Sequence, residues 1–382
     1  MKKLLYLLFL VPCSSWAVPV VTNITGTLSN GSEVIVSGSG FGTKTHQKTM
    51  VWADFEEGTN TTPYSNYSTS TTWTATNNIA YTPTGCFTGG GCLTSSPGWA
   101  SGTHSDSPNF GVELAKAKTG YGRSIYWQCA RKESYTIVYS SENWKWARIW
   151  ARNILLSGPG RYPDHYFATD VGNHSFPVNF HSYVELLTNP GGYYNYNQYW
   201  GGAKQSLPHA TWQLEDWEWH FNSALGLKDG STKLTIDNVV QYSTGAWQSD
   251  EAAYPGQSDA YYALHDEGSN FGPGHTVNGS VWLDNVYMDD YRSRIMIGNA
   301  STLAACTRLQ VLPYRAWADG SVTALVVLDD ISGNAWMYAY DDNGNASSAL
   351  ALVTGTTYPT GGSGGGGSVI TGKGIPIAVK TR

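Results

Sequence analysis

Charge is scarce in this sequence. Of its 382 residues only 14% are Asp, Glu, Lys or Arg, and the 23 basic residues are scattered rather than massed. With no basic patch to track a phosphate backbone, nucleic acid is excluded as an expected partner. Long apolar runs are lacking too: beyond residue 17 none approaches the roughly 20 apolar residues of a membrane-crossing helix, so no transmembrane segment is expected. Cysteine is sparse, at five, and no pair has the knuckle spacing and neighbouring His of a zinc site. Between Trp52 and Ala300 no convincing amphipathic helix can be traced. Low charge combined with 13% aromatic residues separates the chain from disordered sequences, which are charged and poor in aromatics.

What is present begins with a segment suited to export. Lys2 and Lys3 form a basic head, residues 4–11 an apolar core, and Ser15-Trp16-Ala17 a small-x-small cleavage site. Residues 1–17 therefore read as a secretory signal peptide, and the product as secreted or displayed at the cell surface. Removing Lys2 and Lys3 takes the formal charge from −6 to −8. An acidic chain can still bind an anionic glycan where a cleft concentrates positive field. Cys86, Cys92, Cys129 and Cys306 remain after processing, and four cysteines allow three pairings. The Gly-rich loop between Cys86 and Cys92 favours a local bridge, with Cys129–Cys306 as the expected longer one. The alternative is one local bridge and two buried thiols.

Alternation at period two predicts half-buried antiparallel strands at 135–139, 144–151, 183–187, 212–222, 232–240 and 281–288, and again at 321–328 and 334–340. Two β-favouring runs around Asn30-Gly31 predict a hairpin. The Gly/Ser-rich run within 354–382 reads as a flexible tail.

Several segments resemble known families. The stretch 20–42, ending in Ser37-Gly38-Ser39-Gly40-Phe41-Gly42, resembles the opening of the small immunoglobulin-like domains of the IPT/TIG kind. It is shorter than such a domain, so it is either incomplete or completed by strands elsewhere in the chain. Lys145-Trp146-Ala147-Arg148-Ile149-Trp150, Trp212-Gln213-Leu214-Glu215 leading to Asn222, and Asp229-Gly230 before a strand to Asp237 resemble the concanavalin A-like lectin and glucanase fold, in particular the jelly rolls of bacterial polysaccharide lyases. The block from Ile297 through Asn345 resembles the immunoglobulin-like β-domain that follows such jelly rolls in bacterial and phage surface proteins. The resemblances imply an all-β fold, a concanavalin-like jelly-roll sandwich with small immunoglobulin-like β-modules. The expected division is signal peptide 1–17, IPT/TIG-like segment 18–46, jelly roll 47–298, small β-domain 299–353 and tail 354–382.

Candidate site residues follow from residue chemistry. Period two places Trp144, Trp146, Arg148, Trp150 and Arg152 on one strand face, with Lys145, Ala147, Ile149 and Ala151 on the other. Indole rings can stack on sugar C–H faces while guanidinium groups hold carboxylate or hydroxyl oxygens. The expected substrate-binding set is Trp146, Arg148, Trp150, Arg152, Glu215 and Trp217, with Glu215 pairing Arg148; the competing reading makes the tryptophans core. A hydrolase needs two carboxyl groups facing each other across a glycosidic bond. Glu215 and Asp216 are adjacent and point to opposite faces, which disfavours hydrolysis. A lyase needs a base and a group that neutralises a uronate carboxylate. His181 and Tyr183, alternate residues on one strand, are the candidate bases and Arg148 the neutralising group. Asp54 and Glu56 near the start of the jelly roll and Asp284 near its end are similar to the structural calcium site of carbohydrate-binding jelly rolls, and oxygen ligands suit that ion. The expected function is a secreted polysaccharide-binding β-sandwich. The alternatives are a polysaccharide lyase acting on a uronate-containing glycan, and a structural surface or filament protein that self-assembles through exposed strands.

The intact mass of the secreted protein is expected to lack residues 1–17; retention of Met1 in that mass would show that the segment is not cleaved.

Overall fold

The computed structural model describes residues 18–56, 67–68, 80–94, 124–134, 211–220, most of 223–245 and 280–359 with their side chains. Strands within 73–76, 100–114, 136–200 and 261–278 are described by course and pairing only. The architecture is all-β: antiparallel sheets form sandwich-like modules of jelly-roll and immunoglobulin-like kind. Among the described residues the only helical element is a 3-10 turn at Leu303–Ala305.

Two large sheets make the central unit. One has seven strands and includes Asn143–Arg152, Arg161–Asp170, Asn179–Leu187 and Tyr194–Trp200 in that spatial order. The other has eight, with Ser124–Glu133 between Gln213–His220 and Val281–Asp289. In the eight-stranded sheet, Ile125, Trp127 and Cys129 pair with Trp219, Trp217 and Glu215, so these residues share one face. Trp217 and Trp219 stack at 5.7 Å, and Trp127, Trp217 and Trp219 are fully buried. Burial of each such ring stabilises the sheet by roughly 3 kcal/mol.

The predicted strand over 232–240 is interrupted. Asp237 and Asn238 both take positive φ, 46° and 61°, and turn the chain between Gly230–Ile236 and Val239–Trp247. A two-residue hairpin turn needs this left-handed backbone, and Asp and Asn tolerate it where β-branched residues do not.

The N-terminal hairpin is completed from the other end of the chain. Val20–Thr27 and Glu33–Ser39 pair with each other, and the hairpin inserts between Ser321–Leu325 and Thr357–Tyr358 in a five-stranded sheet. The glycine motif serves this junction. A Cβ on Gly38 would lie 1.9 Å from the Val20 carbonyl oxygen, while Phe41 is fully buried and tilts against Trp317 at 6.4 Å. A four-stranded sheet that includes Arg294–Gly298, Leu309–Leu312 and Asn334–Tyr340 shares the same core, to which Ile24, Val36, Val311, Val322 and Met337 contribute.

This C-terminal module covers the second face of the eight-stranded sheet. Gln128, fully buried, donates from Nε2 to Asp216 Oδ1 and to the Leu309 carbonyl, each at 2.8 Å, and accepts from the Val311 N–H at 2.7 Å. The Arg294 guanidinium lies 4.0 Å from the Tyr126 ring and 4.1 Å from the Tyr340 ring, and both Arg292 and Arg294 pair with Glu218. Gln213–His220 is therefore hidden on both sides, which explains the mixed polarity of its two faces.

The disulfide expectation holds for one pair only. Cys86 and Cys92 are bridged, whereas Cys129 and Cys306 are free, buried thiols. Cys129 sits on the sheet face opposite to Gln128, while Cys306 lies in the module that Gln128 contacts, so the sheet itself separates them. A disulfide requires Cα atoms closer than about 7 Å.

Replacing Gln128 with Ala removes three hydrogen bonds at this junction and leaves buried groups of Asp216, Leu309 and Val311 without that partner. Chemical denaturation is expected to show a loss of about 2 kcal/mol; a loss below about 0.5 kcal/mol would mean that the module is held by other contacts.

Candidate functional site

The expected site residues fall on two different sheets. The side chains of Trp146, Arg148, Trp150, Arg152, His181 and Tyr183 lie outside the described residues, but strand pairing fixes the backbone register of the strands that carry them. Arg148 pairs with Tyr166, Tyr166 with Tyr183, and Tyr183 with Gln198. A second row joins Trp150, Asp164, Glu185 and Tyr196, and a third joins Lys145, Ala168, His181 and Trp200. Directly paired residues share a face, and rows two residues apart share it as well. Arg148, Trp150, His181 and Tyr183 thus come to one face of the seven-stranded sheet. Arg148 and Tyr183 are two strands apart, about 10 Å at the usual strand spacing.

The expected alternation along Asn143–Arg152 is broken. The pairing slips between Lys145 and Ala147, which leaves Trp146 at a bulge. An extra residue reverses the faces beyond it. Lys145, placed with the opposite set by simple alternation, joins the face of Arg148, and Trp144 leaves it. A second slip occurs between Trp150 and Arg152, where Arg152 pairs with Arg161. Tyr166 and Asp164 were not singled out from sequence; their alternate spacing beside a candidate strand was the available signal.

Glu215 and Trp217 belong instead to the interior of the eight-stranded sheet. Both are fully buried; the Trp217 Nε1–H donates to Glu215 Oε2 at 3.2 Å, and Arg131 Nη1 lies 3.6 Å from Glu215 Oε1. Arg131 also pairs with Glu133. Glu215 therefore serves an internal ion pair with Arg131, and Trp217 is core. Asp216, on the other face, accepts from Tyr126 and Gln128. Burial raises it to about 6, against the lowering effect of those donors and of Arg294. Neither carboxyl group faces the other, so the arrangement lacks the opposed pair of a hydrolase.

The expected calcium ligands are drawn into loop anchoring. Asp284 is fully buried and accepts N–H groups of Phe87 and Thr88 on Oδ2, at 2.9 and 3.1 Å, and of Asn285 on Oδ1, at 2.8 Å. Burial raises its carboxyl well above the ordinary range despite these donors. Glu56 accepts the Gly90 and Gly91 N–H groups, at 2.9 and 3.2 Å. Asp54 and Glu56 line a cavity of about 200 Å³ with Trp52, Thr88 and Asn285, but Asp284 does not. These three residues do not fit a shared calcium shell, because Asp284 turns Oδ2 to the backbone of the disulfide loop and Oδ1 to the N–H of Asn285 on its own strand.

A different acidic cluster escaped the sequence reading. His46, Asp289 and Asp290 present ligand atoms within 4.8 Å of one another, close enough to hold a metal ion. Internal cations already serve these acids. Lys44 Nζ lies 2.6 Å from Asp289 Oδ2, and Tyr314 donates to the same oxygen at 2.8 Å. His46 has Nε2 at 2.6 Å from Asp290 Oδ1 and Nδ1 at 2.6 Å from the Lys48 carbonyl. Two acceptors require both ring nitrogens to carry hydrogen, the imidazolium form. Burial opposes that charge, but Asp289 and Asp290 outweigh it and push His46 up to about 10. Burial would likewise raise Asp289, yet Lys44 and then His46 hold it well below the usual carboxylate range. A nitrogen ligand also departs from the oxygen shell of calcium.

No family model matches the sequence, and no curated protein is similar to it. Among solved structures, the chain is similar to an endo-β-1,4-glucuronan lyase from the fungus Trichoderma reesei at 11% identity and a TM-score of 0.40, over 58% of this chain and 95% of that one. It is similar to an alginate lyase from a Chlorella virus at 11% identity and a TM-score of 0.34, over 59% and 95%. Domain 4 of an extracellular arabinanase from Geobacillus stearothermophilus gives 11% identity and a TM-score of 0.33, over 63% and 95%. Likenesses at this level assign no role to any residue.

Because folding raises His46 from 6.5 to about 10, its contribution to stability is complete below 6.5 and is lost as pH rises through 10. The melting temperature of the native protein is expected to fall across this window, and that of His46→Gln to fall less. Parallel slopes for the two proteins would show that His46 is not protonated in the folded state.

Proposed function

We propose that the protein binds a uronate-containing polysaccharide on the face of its seven-stranded sheet and cleaves it by β-elimination. The observation that carries this reading is the register: Arg148, Tyr166 and Tyr183 lie in one cross-strand row, and His181 lies beside it on the same face. In β-elimination a base removes the proton from C5, next to the carboxylate. The electron pair forms the C4–C5 double bond, and the glycosidic oxygen leaves C4 with a proton from an acid. Arg148 would neutralise the carboxylate and so stabilise charge that develops when the C5 proton departs. Tyr183 or His181 would move the proton. The strands that carry Arg148 and Tyr183 lie about 10 Å apart, a spacing that accommodates a pyranose ring. Trp150 and Trp200, on flanking rows of the same face, suit stacking against neighbouring sugar rings.

The test is incubation of the full chain with acidic and neutral polysaccharides, followed by ultraviolet absorbance of the new double bond. Uronate glycans alone are expected to yield it. Tyr183→Phe is expected to reduce kcat by about 100-fold or more with an unchanged circular dichroism spectrum. Arg148→Lys, which removes the guanidinium fork, is expected to lower kcat/KM on the uronate substrate. Binding without unsaturated product from any glycan would overturn cleavage and leave a polysaccharide-binding protein.

A further inference from the structure

The eight-stranded sheet face that carries Gln128 and lies beneath the C-terminal module emerges from cover toward the other end of its strands. Lys132 and Trp282, paired across neighbouring strands, mark this end. Trp212 stands just before the adjoining strand, and Phe87 comes from the disulfide loop. All four are half-buried. The Lys132 ammonium is flanked by two indoles, with Nζ at 4.9 Å from the Trp212 ring centroid and 4.3 Å from that of Trp282. Phe87 continues the aromatic row, tilted against Trp212 at 5.5 Å.

The cluster is held from below. Lys132 Nζ donates to the Gly85 carbonyl at 2.8 Å, and Trp212 Nε1 donates to the same oxygen at 3.2 Å. Gly85 adjoins the Cys86–Cys92 bridge, and Asp284 receives the Phe87 and Thr88 N–H groups beneath it. Lys132 and Trp212 are thus fixed against a braced loop that carries Phe87, and Trp282 flanks the ammonium from the neighbouring strand. Among the described residues no carboxylate lies within ion-pairing distance of Lys132, in contrast to Lys44, Arg131, Arg292, Arg294, Arg308 and Arg315. An ammonium has three donors, and among the described residues Lys132 donates to the Gly85 carbonyl alone.

We propose that Lys132, Trp212, Trp282 and Phe87 form a second glycan-binding site, separate from the seven-stranded sheet, that takes an anionic sugar residue of an acidic polysaccharide. The carboxylate would approach Lys132 Nζ, and the sugar ring would lie against the partly exposed faces of Trp212 and Phe87. Aromatic contact without charge would suit any sugar; the uncompensated lysine makes the site selective for acidic ones. Such a site would keep the protein on its polymer while the other sheet acts, which raises effective concentration. The proposal takes its ligand class from the reading above but not its location.

The test uses the full chain carrying Tyr183→Phe, so that turnover does not consume the ligand. Calorimetric titration with a hexauronate is expected to show a second oligosaccharide per chain, and Lys132→Gln is expected to weaken that binding roughly tenfold. Lys132→Arg should restore most of it, a neutral β-glucan hexamer should bind no more tightly to the parent than to Lys132→Gln, and melting temperatures check the fold. In case Lys132→Gln melts early, Trp212→Phe in an otherwise native chain provides a second measurement: quenching of tryptophan fluorescence by hexauronate should shrink. Unchanged stoichiometry and affinity in Lys132→Gln, or unchanged quenching in Trp212→Phe, overturns the second site. Lys132-dependent binding with no turnover on any glycan overturns the lyase reading alone, and turnover without Lys132-dependent binding overturns this proposal alone.

Discussion

The buried carboxylate of Asp289 is the point on which the arrangement of the modules depends. It closes the Val281–Asp289 strand of the large sheet, yet its partners come from elsewhere: Lys44 and His46 follow the N-terminal hairpin, and Tyr314 belongs to the C-terminal module. Lys44 and Asp289 stand 245 residues apart in sequence. Isolated, such a carboxylate would carry a large desolvation cost; paired with two cations and hydrogen-bonded to Tyr287 and Tyr314, it becomes a fixed joint. The Lys44 ammonium also lies over the Tyr314 and Trp317 rings, at 4.2 and 4.0 Å, so apolar packing and ion pairing position the same side chain. Removal of any one partner would leave a buried charge exposed to the others.

This joint determines which surfaces remain open. With the module seated against Gln128, Tyr126 and Glu218, the eight-stranded sheet has a tryptophan-rich inner face and a covered outer face over most of its area. Glu215 of its conspicuous Trp-x-x-Glu segment is consequently structural. The proposed site lies on the other sheet, where the pairing of Asn143–Arg152, Arg161–Asp170 and Asn179–Leu187 collects an arginine, two tyrosines and a histidine. On the outer face the end near Lys132 escapes the module.

Local signals in the sequence were informative where contacts are local. The hairpin around Asn30-Gly31, the strands at 143–152, 213–220 and 281–289, and the Cys86–Cys92 bridge all follow from short-range pattern. Arg148 and Tyr183 were recognisable as candidates because of their chemistry, but their shared row depends on the intervening strand that carries Tyr166. The bulge at Trp146 was hidden because one extra residue leaves the composition of an alternating strand unchanged while it reverses a face. Burial on both sides of Gln213–His220 could not be read from that strand, since the partners of Glu218 arrive from the region beyond residue 290. Cys129 looked available for a long bridge only because sequence does not show that a sheet lies between it and Cys306.

The scarcity of charge gives these placements their meaning. In a chain of formal charge −6 with only 23 Lys and Arg residues, most described cations are consumed by internal pairing. Arg131 meets Glu133 and Glu215, Arg292 and Arg294 meet Glu218, Arg308 meets Asp237 and Asp330, and Arg315 meets Glu33. Such pairs contribute geometry but little outward field, because each positive charge is matched within a few ångströms. Among the described residues, attraction for an acidic polymer would therefore be expected where a cation lacks a carboxylate within ion-pairing distance. Lys132 meets that condition among the described residues, and it does so within a row of aromatic rings. Under the proposed reading, selectivity for an anionic ligand can then rest on very few basic residues.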